Sequence, residues 1–176
     1  MAYRRFNQTF HHGLNAVLLL ALLMPKLGLA DTLIGEVVAV TDGDSITVVT
    51  EGVQYKIRLS GIDAPERHQA YGLQSKQSLF DLVSQQTVKI TYQKYDKYNR
   101  ILGKVYLDGL DINLAQIKSG SAWHYRYYQK EQNVEDRALY AQAAALAKKH
   151  QLGLWKDANP IAQWRCPRLE SNKKEA

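Results

Sequence analysis

Residues 32–59 read TLIGEVVAVTDGDSITVVTEGVQYKIRL. Thr32 to Val40 alternates and is rich in β-branched residues, Ser45 to Thr50 repeats the theme, and Glu51-Gly52 turns the chain into Val53 to Leu59. A period of two sends successive side chains to opposite faces, so this stretch predicts three consecutive antiparallel strands. Further along, Thr87 to Tyr95 and Arg100 to Leu107 predict a hairpin around Asp96-Lys97-Tyr98-Asn99, with the next tight turn at Asp108-Gly109. Helices are expected at Leu73 to Gln85, with Leu73, Lys76/Gln77, Phe80 and Val83/Ser84 near one side, and at Ile112 to Ser119, stopped by Gly120. A third is expected at Val134 to His150. Glu135 and Asp136 stand in its first turn and Lys148, Lys149 and His150 in its last, matching the helix dipole. Its Ala138, Ala141, Ala144 and Ala145 suggest close packing on a sheet. The sum is an α+β chain, mainly β, with five strands and three helices.

The chain has 176 residues, 23 Lys+Arg against 17 Asp+Glu, 45% apolar residues and one cysteine. That suits one globular domain and argues against disorder, collagen or coiled coil. A lone Cys166 excludes a disulfide framework within the chain and a cysteine zinc site. Residues 1–30 hold Arg4, Arg5 and Lys26 but no acid, then an apolar run from Leu14 to Met24 and the small-residue ending Gly28-Leu29-Ala30. This is the order of a secretory signal cleaved after Ala30, and the run spans only about half of a ~30 Å hydrocarbon core, too little for a stable membrane anchor. The expected organisation is a signal at 1–30, one domain at 31–155 and a loosely held tail at 156–176. The export is periplasmic or extracellular. The small positive excess is compatible with a polyanionic partner and identifies none.

The chemistry lies in three short stretches. Asp42-Gly43-Asp44-Ser45 stands between two strands and, taken alone, reads as a turn. In Arg58-Leu59-Ser60-Gly61-Ile62-Asp63-Ala64-Pro65-Glu66 a strand leaves the sheet and Pro65 stiffens the chain between two carboxylates. Asp96-Lys97-Tyr98-Asn99-Arg100 is a hairpin tip presenting a Tyr and an Arg. Attack on a phosphodiester adds negative charge to oxygens that already carry it, and guanidinium forks meet that charge with bidentate hydrogen bonds. Carboxylates and a carbonyl make a hard oxygen site for a cation, and a separate Glu can deprotonate water.

Asp-Gly-Asp-Ser, then Arg-Leu-x-x-Ile-Asp-x-Pro-Glu, then Asp-x-Tyr-x-Arg, in that order on five strands and three helices, resembles the staphylococcal nuclease family over roughly residues 32–155. The resemblance implies an oligonucleotide-binding (OB-fold) barrel of five strands with three helices. It implies that Asp44 and Asp63, with the main-chain oxygen of Ala64, bind one Ca²⁺ ion, Asp42 ordering water beside it. By the same resemblance Glu66 is the general base, Arg58 and Arg100 clamp the phosphate, and Tyr98 contacts the nucleotide. The implied activity is Ca²⁺-dependent hydrolysis of DNA and RNA, single strands preferred, with little sequence specificity and 3′-phosphate products, by a monomer.

Two departures stand out. Only residues 67–70 separate Glu66 from Tyr71-Gly72, fewer than in the family's founding member. A second substrate tyrosine falls among Tyr125, Tyr127 and Tyr128, between which strict counting does not decide, and Tyr128 is taken as the candidate. His68, His124 and His150 share no metal-ligand spacing. The competing function is a non-catalytic OB-fold module that binds nucleic acid; a water-activating Glu beside a cation site argues against it.

Overall fold

The computed structural model describes residues 30–162, so the expected signal at 1–30, apart from Ala30, and Cys166 with the rest of 163–176 lie outside the described residues. Strands β1 (Asp31–Asp42), β2 (Ser45–Thr50) and β3 (Val53–Leu59) form an antiparallel meander, with Glu36 opposite Val49 and Ser45 opposite Arg58. Helix α1 (Gly72–Val83) separates this meander from β5 (Thr87–Tyr95) and β6 (Ile101–Leu107); β4 (Ile62–Asp63) is a two-residue strand before it. The first half of β1 pairs with β5, from Asp31 opposite Tyr92 to Glu36 opposite Thr87, while its second half pairs with β2. Irregular register within β1 bends the strand, which lets one strand serve two partners on a strongly curved sheet.

Closure comes from β3 and β6, which run parallel with Ile57 opposite Ile101, Arg58 opposite Leu102 and Leu59 opposite Gly103. The result is a closed five-stranded barrel with three helices, the OB-fold arrangement expected from the motifs. Inward positions such as Val37, Ile46, Val48, Ile57, Ile90 and Val105 are fully buried and, with Leu79 and Val83 of α1, form one core. Closing the barrel hides edges that would otherwise be left unpaired.

Short elements complete the fold. β7 (Leu110–Asp111) leads into α2 (Ile112–Lys118), capped by Asp111, whose carboxylate accepts the Leu114 N–H. Gly120 ends it at a φ of +71°, the left-handed closure that the sequence predicts. β8 (Trp123–His124) pairs with β4, and a 3₁₀ turn (Arg126–Glu131) leads to α3 (Val134–Lys149), capped by Asn133. A second 3₁₀ turn spans Gly153–Lys156, and Ala162 is buried with Trp123 and Leu154, so packing continues beyond residue 155.

Two helix faces differ from expectation. The buried stripe of α1 is Gly72, Ser75, Leu79 and Val83, while Leu73 and Phe80 are exposed. Ser75 turns inward because its hydroxyl donates to the Ser121 carbonyl at 2.6 Å. The helix also stops short of Gln85, because Gln85 donates to the Val37 carbonyl and Val37 to that of Gln86, tying the chain to β1. On α3 the buried residues are Tyr140, Ala143 and Ala147 rather than the four predicted alanines.

The α3 face is set by a polar cluster. Lys104 of β6 forms ion pairs with Asp111 at 3.0 Å and Asp136 at 2.5 Å, and the Tyr140 hydroxyl donates to both Asp111 oxygens. Burial opposes the Lys104 charge, yet hydrogen bonds to Asp136 and Asp111 hold its pKa well above the ordinary lysine range. Lys104→Met leaves two half-buried carboxylates facing each other without a cation. It is expected to cost about 2–3 kcal/mol of stability in urea unfolding. A loss below about 0.5 kcal/mol, the level of an isolated surface pair, would show that the cluster does not anchor α3.

Candidate active site

Asp42 and Asp44 bracket the turn from β1 to β2. The Asp44 N–H donates to Oδ1 of Asp42 at 3.2 Å, the local bond expected of an Asp in a turn. Gly43 lies against α1 so closely that an added Cβ would stand 1.7 Å from the Ser75 hydroxyl, and no other residue fits without moving one of them. Its carbonyl accepts a 2.7 Å bond from Nε2 of Gln116, a fully buried side chain on α2. Gln116 also donates to the Ser75 carbonyl and accepts from the Ser78 hydroxyl, so every polar atom of its amide is satisfied. Two helices therefore hold the peptide between the two acids.

Asp44 is 1% exposed. Its Oδ1 accepts the Ser45 hydroxyl at 3.0 Å and pairs with Nη1 of Arg58, while Oδ2 accepts the Ala64 N–H at 2.7 Å. Arg58 sits opposite Ser45 in the β2/β3 ladder, which explains how a residue fourteen positions on reaches the turn. Its Nη2 donates to Oδ1 of Asp63 at 2.6 Å. One guanidinium thus bridges Asp44 and Asp63.

Asp63 is fixed by the β4/β8 ribbon, where it lies opposite Trp123, and Tyr125 donates to the Gly61 carbonyl next door. Its Oδ2 is buried without a hydrogen-bond partner among the described residues. Burial raises the Asp63 pKa against the lowering by Arg58, and the charges of Glu66 and Asp42 push it further up. Asp44 Oδ2 carries a single donor and keeps one lone pair, so two hard carboxylate oxygens, one on each acid, remain able to accept. Such a pair suits a divalent cation of the Ca²⁺ or Mg²⁺ kind, which completes its shell with carbonyls and water. No cluster of three His, Cys, Asp or Glu residues with ligand geometry occurs among the described residues.

Glu66 opens a tight turn. Its N–H donates to Oε1 of Gln69 at 2.8 Å, its carbonyl accepts the Gln69 N–H, and Gly72 donates to the Gln69 carbonyl. The short segment 67–70 is therefore hydrogen-bonded onto the helix start, and the Glu66 carboxylate has no hydrogen-bond or ion-pair partner among the described residues.

Arg100 immediately precedes Ile101, which the closing ladder sets opposite Ile57, so the two arginine-bearing segments meet at the barrel seam. Its guanidinium is held by Asp96 and lies 5.5 Å from the exposed ring of Tyr98. Tyr125 and Tyr127 stack with centroids 6.2 Å apart, and Tyr127 is 77% exposed. The side chain of Tyr128 lies outside what the structure describes. His68 and His150 are exposed and belong to no shared cluster, while His124 is buried against Tyr140 with Nε2 3.0 Å from Gln132. The residues missed from sequence are Gln116, Ser75 and Gln69, none of which carries a legible signal, while Asp96 was marked by the Asp-x-Tyr-x-Arg motif without its contact to Arg100.

Residues 56–157 match the family model described as Staphylococcal nuclease homologue. An uncharacterized endonuclease of Haemophilus influenzae is 42% identical over 132 residues, covering 73% of this chain and 71% of that protein. A micrococcal nuclease of Shigella flexneri is 37% identical over 147 residues, 78% of this chain and 82% of that protein. Protein ParB of Escherichia coli is 31% identical over 150 residues, with 80% and 82% covered. The chain belongs to the staphylococcal nuclease family.

Proposed function

We propose that this protein is an exported, Ca²⁺-dependent nuclease that hydrolyses phosphodiester bonds of DNA and RNA, with single strands preferred, little sequence specificity and 3′-phosphate products. The observation that carries this reading is the Asp44–Arg58–Asp63 bridge with Glu66 three residues beyond Asp63. It unites acids, a guanidinium and an unpaired carboxylate in one place, and a module that only binds nucleic acid has no use for all three. Nuclease names among the relatives support it.

Asp44 and Asp63, with the Ala64 carbonyl, would hold the cation, and Asp42 would order water near it. A bound Ca²⁺ supplies positive charge at the phosphate. Glu66 takes the proton from the attacking water, which a carboxylate with no competing donor is suited to do. Arg58 and Arg100 meet the charge growing on the phosphate oxygens, and because both are preorganised the transition state gains more than the ground state. The exposed rings of Tyr98 and Tyr127 offer faces on which bases can stack, at about 1–3 kcal/mol each. The purified protein should cut denatured DNA with Ca²⁺ and stop with excess chelator. Intact DNA in both tubes at micromolar enzyme would defeat the proposal.

A further inference from the structure

Asp96 divides its two oxygens between two tasks. Oδ1 accepts the N–H groups of Tyr98 at 2.9 Å and Arg100 at 3.0 Å, closing the hairpin tip in which Asn99 takes a φ of +60°. Oδ2 accepts Nε of Arg100 at 2.7 Å and lies 2.7 Å from its Nη2. Two contacts to one oxygen fix both the position and the plane of the guanidinium. They use one edge of the group, Nε with Nη2, and leave the other edge, Nη1 with the second N–H of Nη2, without a hydrogen-bond partner among the described residues, a two-pronged fork on a side chain that is 29% exposed. That free edge matches two oxygens of a phosphate. Burial is the largest single influence and opposes the Asp96 charge, but hydrogen bonds from the Arg100 backbone and side chain and from the Tyr98 N–H together outweigh it and hold the carboxyl below the usual range, so it stays ionised near neutrality.

We propose that Asp96 is a positioning residue that aims the Nη fork of Arg100 at the scissile phosphate. The inference rests on the role assigned to Arg100 under Proposed function. Long side chains on a hairpin tip sample many rotamers, and a transition-state donor loses its advantage when it must be ordered during the reaction. Asp96 removes that cost beforehand without covering the edge that the phosphate needs.

The test is D96N, because asparagine keeps an oxygen for the two backbone N–H groups and a side chain suited to turns. Its amide, however, presents N–H where the Arg100 Nε–H needs an acceptor. The expected result on denatured DNA is a fall in kcat of about 10²-fold with KM unchanged, as for a reacting group misplaced by about 1 Å, and with the thermal midpoint lowered only by the small contribution of one partly exposed ion pair. D96N/R100A should be no slower than R100A alone, since both substitutions remove the same thing. In protein carrying ¹⁵N-labelled arginine, the Nε–H resonance of Arg100 should exchange slowly in the wild type and be lost to fast exchange in D96N. Wild-type kcat in D96N, a loss that adds in full to that of R100A, or an Nε–H that stays protected in D96N overturns the proposal. Wild-type protein that leaves DNA intact, or R100A that cuts at the wild-type rate, defeats the underlying assignment of Arg100 instead, and the proposal with it.

Discussion

Glu66→Gln is expected to lower turnover on denatured DNA by about 10²–10⁴-fold, the span that a positioned general base contributes, while substrate affinity and folding stay close to wild type. The amide nearly reproduces the carboxylate in shape but cannot take a proton. The turn that carries it is closed through main-chain groups of Glu66, the N–H to Gln69 Oε1 and the carbonyl from the Gln69 N–H. None of those bonds involves the carboxylate, so the substitution leaves the loop intact. Steady-state rates measured beside a thermal melt separate the two readings. A tenfold or smaller loss of kcat would move the base to another group, and a large loss accompanied by a lowered melting point would make Glu66 a structural residue.

Asp63→Asn should split metal affinity from stability. Its Oδ1 would still accept from Arg58, but the buried, unpartnered Oδ2 becomes an N–H₂ group that cannot ligate a cation. Calorimetric titration with Ca²⁺ is expected to give a dissociation constant raised about 100-fold or more, since affinity at oxygen sites follows the number of charged ligands. Without added Ca²⁺ the variant should melt at or above the wild-type temperature. Burial disfavours the ionised carboxylate more strongly than Arg58 offsets it, so a neutral side chain is tolerated better there. Unchanged Ca²⁺ affinity would remove Asp63 from the metal site.

The barrel was readable from the sequence because its signals are local. Alternation over residues 32–59, the turn at Glu51-Gly52 and the hairpin tip at 96–99 each depend on neighbours a few positions apart, and β2 and β3 fall where predicted. The helices were legible by their ends and less so by their faces. Phe80 looks like core by hydrophobicity, yet Ser75 takes the inward position because a hydroxyl donor satisfies the Ser121 carbonyl there. The same limit applies to the Lys104 cluster and to β4 and β8, whose partners stand far along the chain.

For the site, motif order marked Asp42, Asp44, Arg58, Asp63, Glu66 and Arg100, and the fold joins the first four around the β1–β2 turn and β4, with Glu66 three residues beyond Asp63. The support behind them was invisible. Gln116 reaches Gly43 across 73 positions, and nothing in a helical Gln announces a partner that distant. Gln69 was likewise unreadable, because the bond that shapes the Glu66 turn depends on a side-chain rotamer rather than on residue type.

A crystal structure of the protein grown with Ca²⁺ and a hydrolysis-resistant dinucleotide should show one ion held between Asp44 and Asp63, phosphate oxygens on Arg58 and on the free edge of Arg100, and the Glu66 carboxylate facing the phosphorus. An ion bound elsewhere, or a phosphate seated on another face of the barrel, would contradict that arrangement.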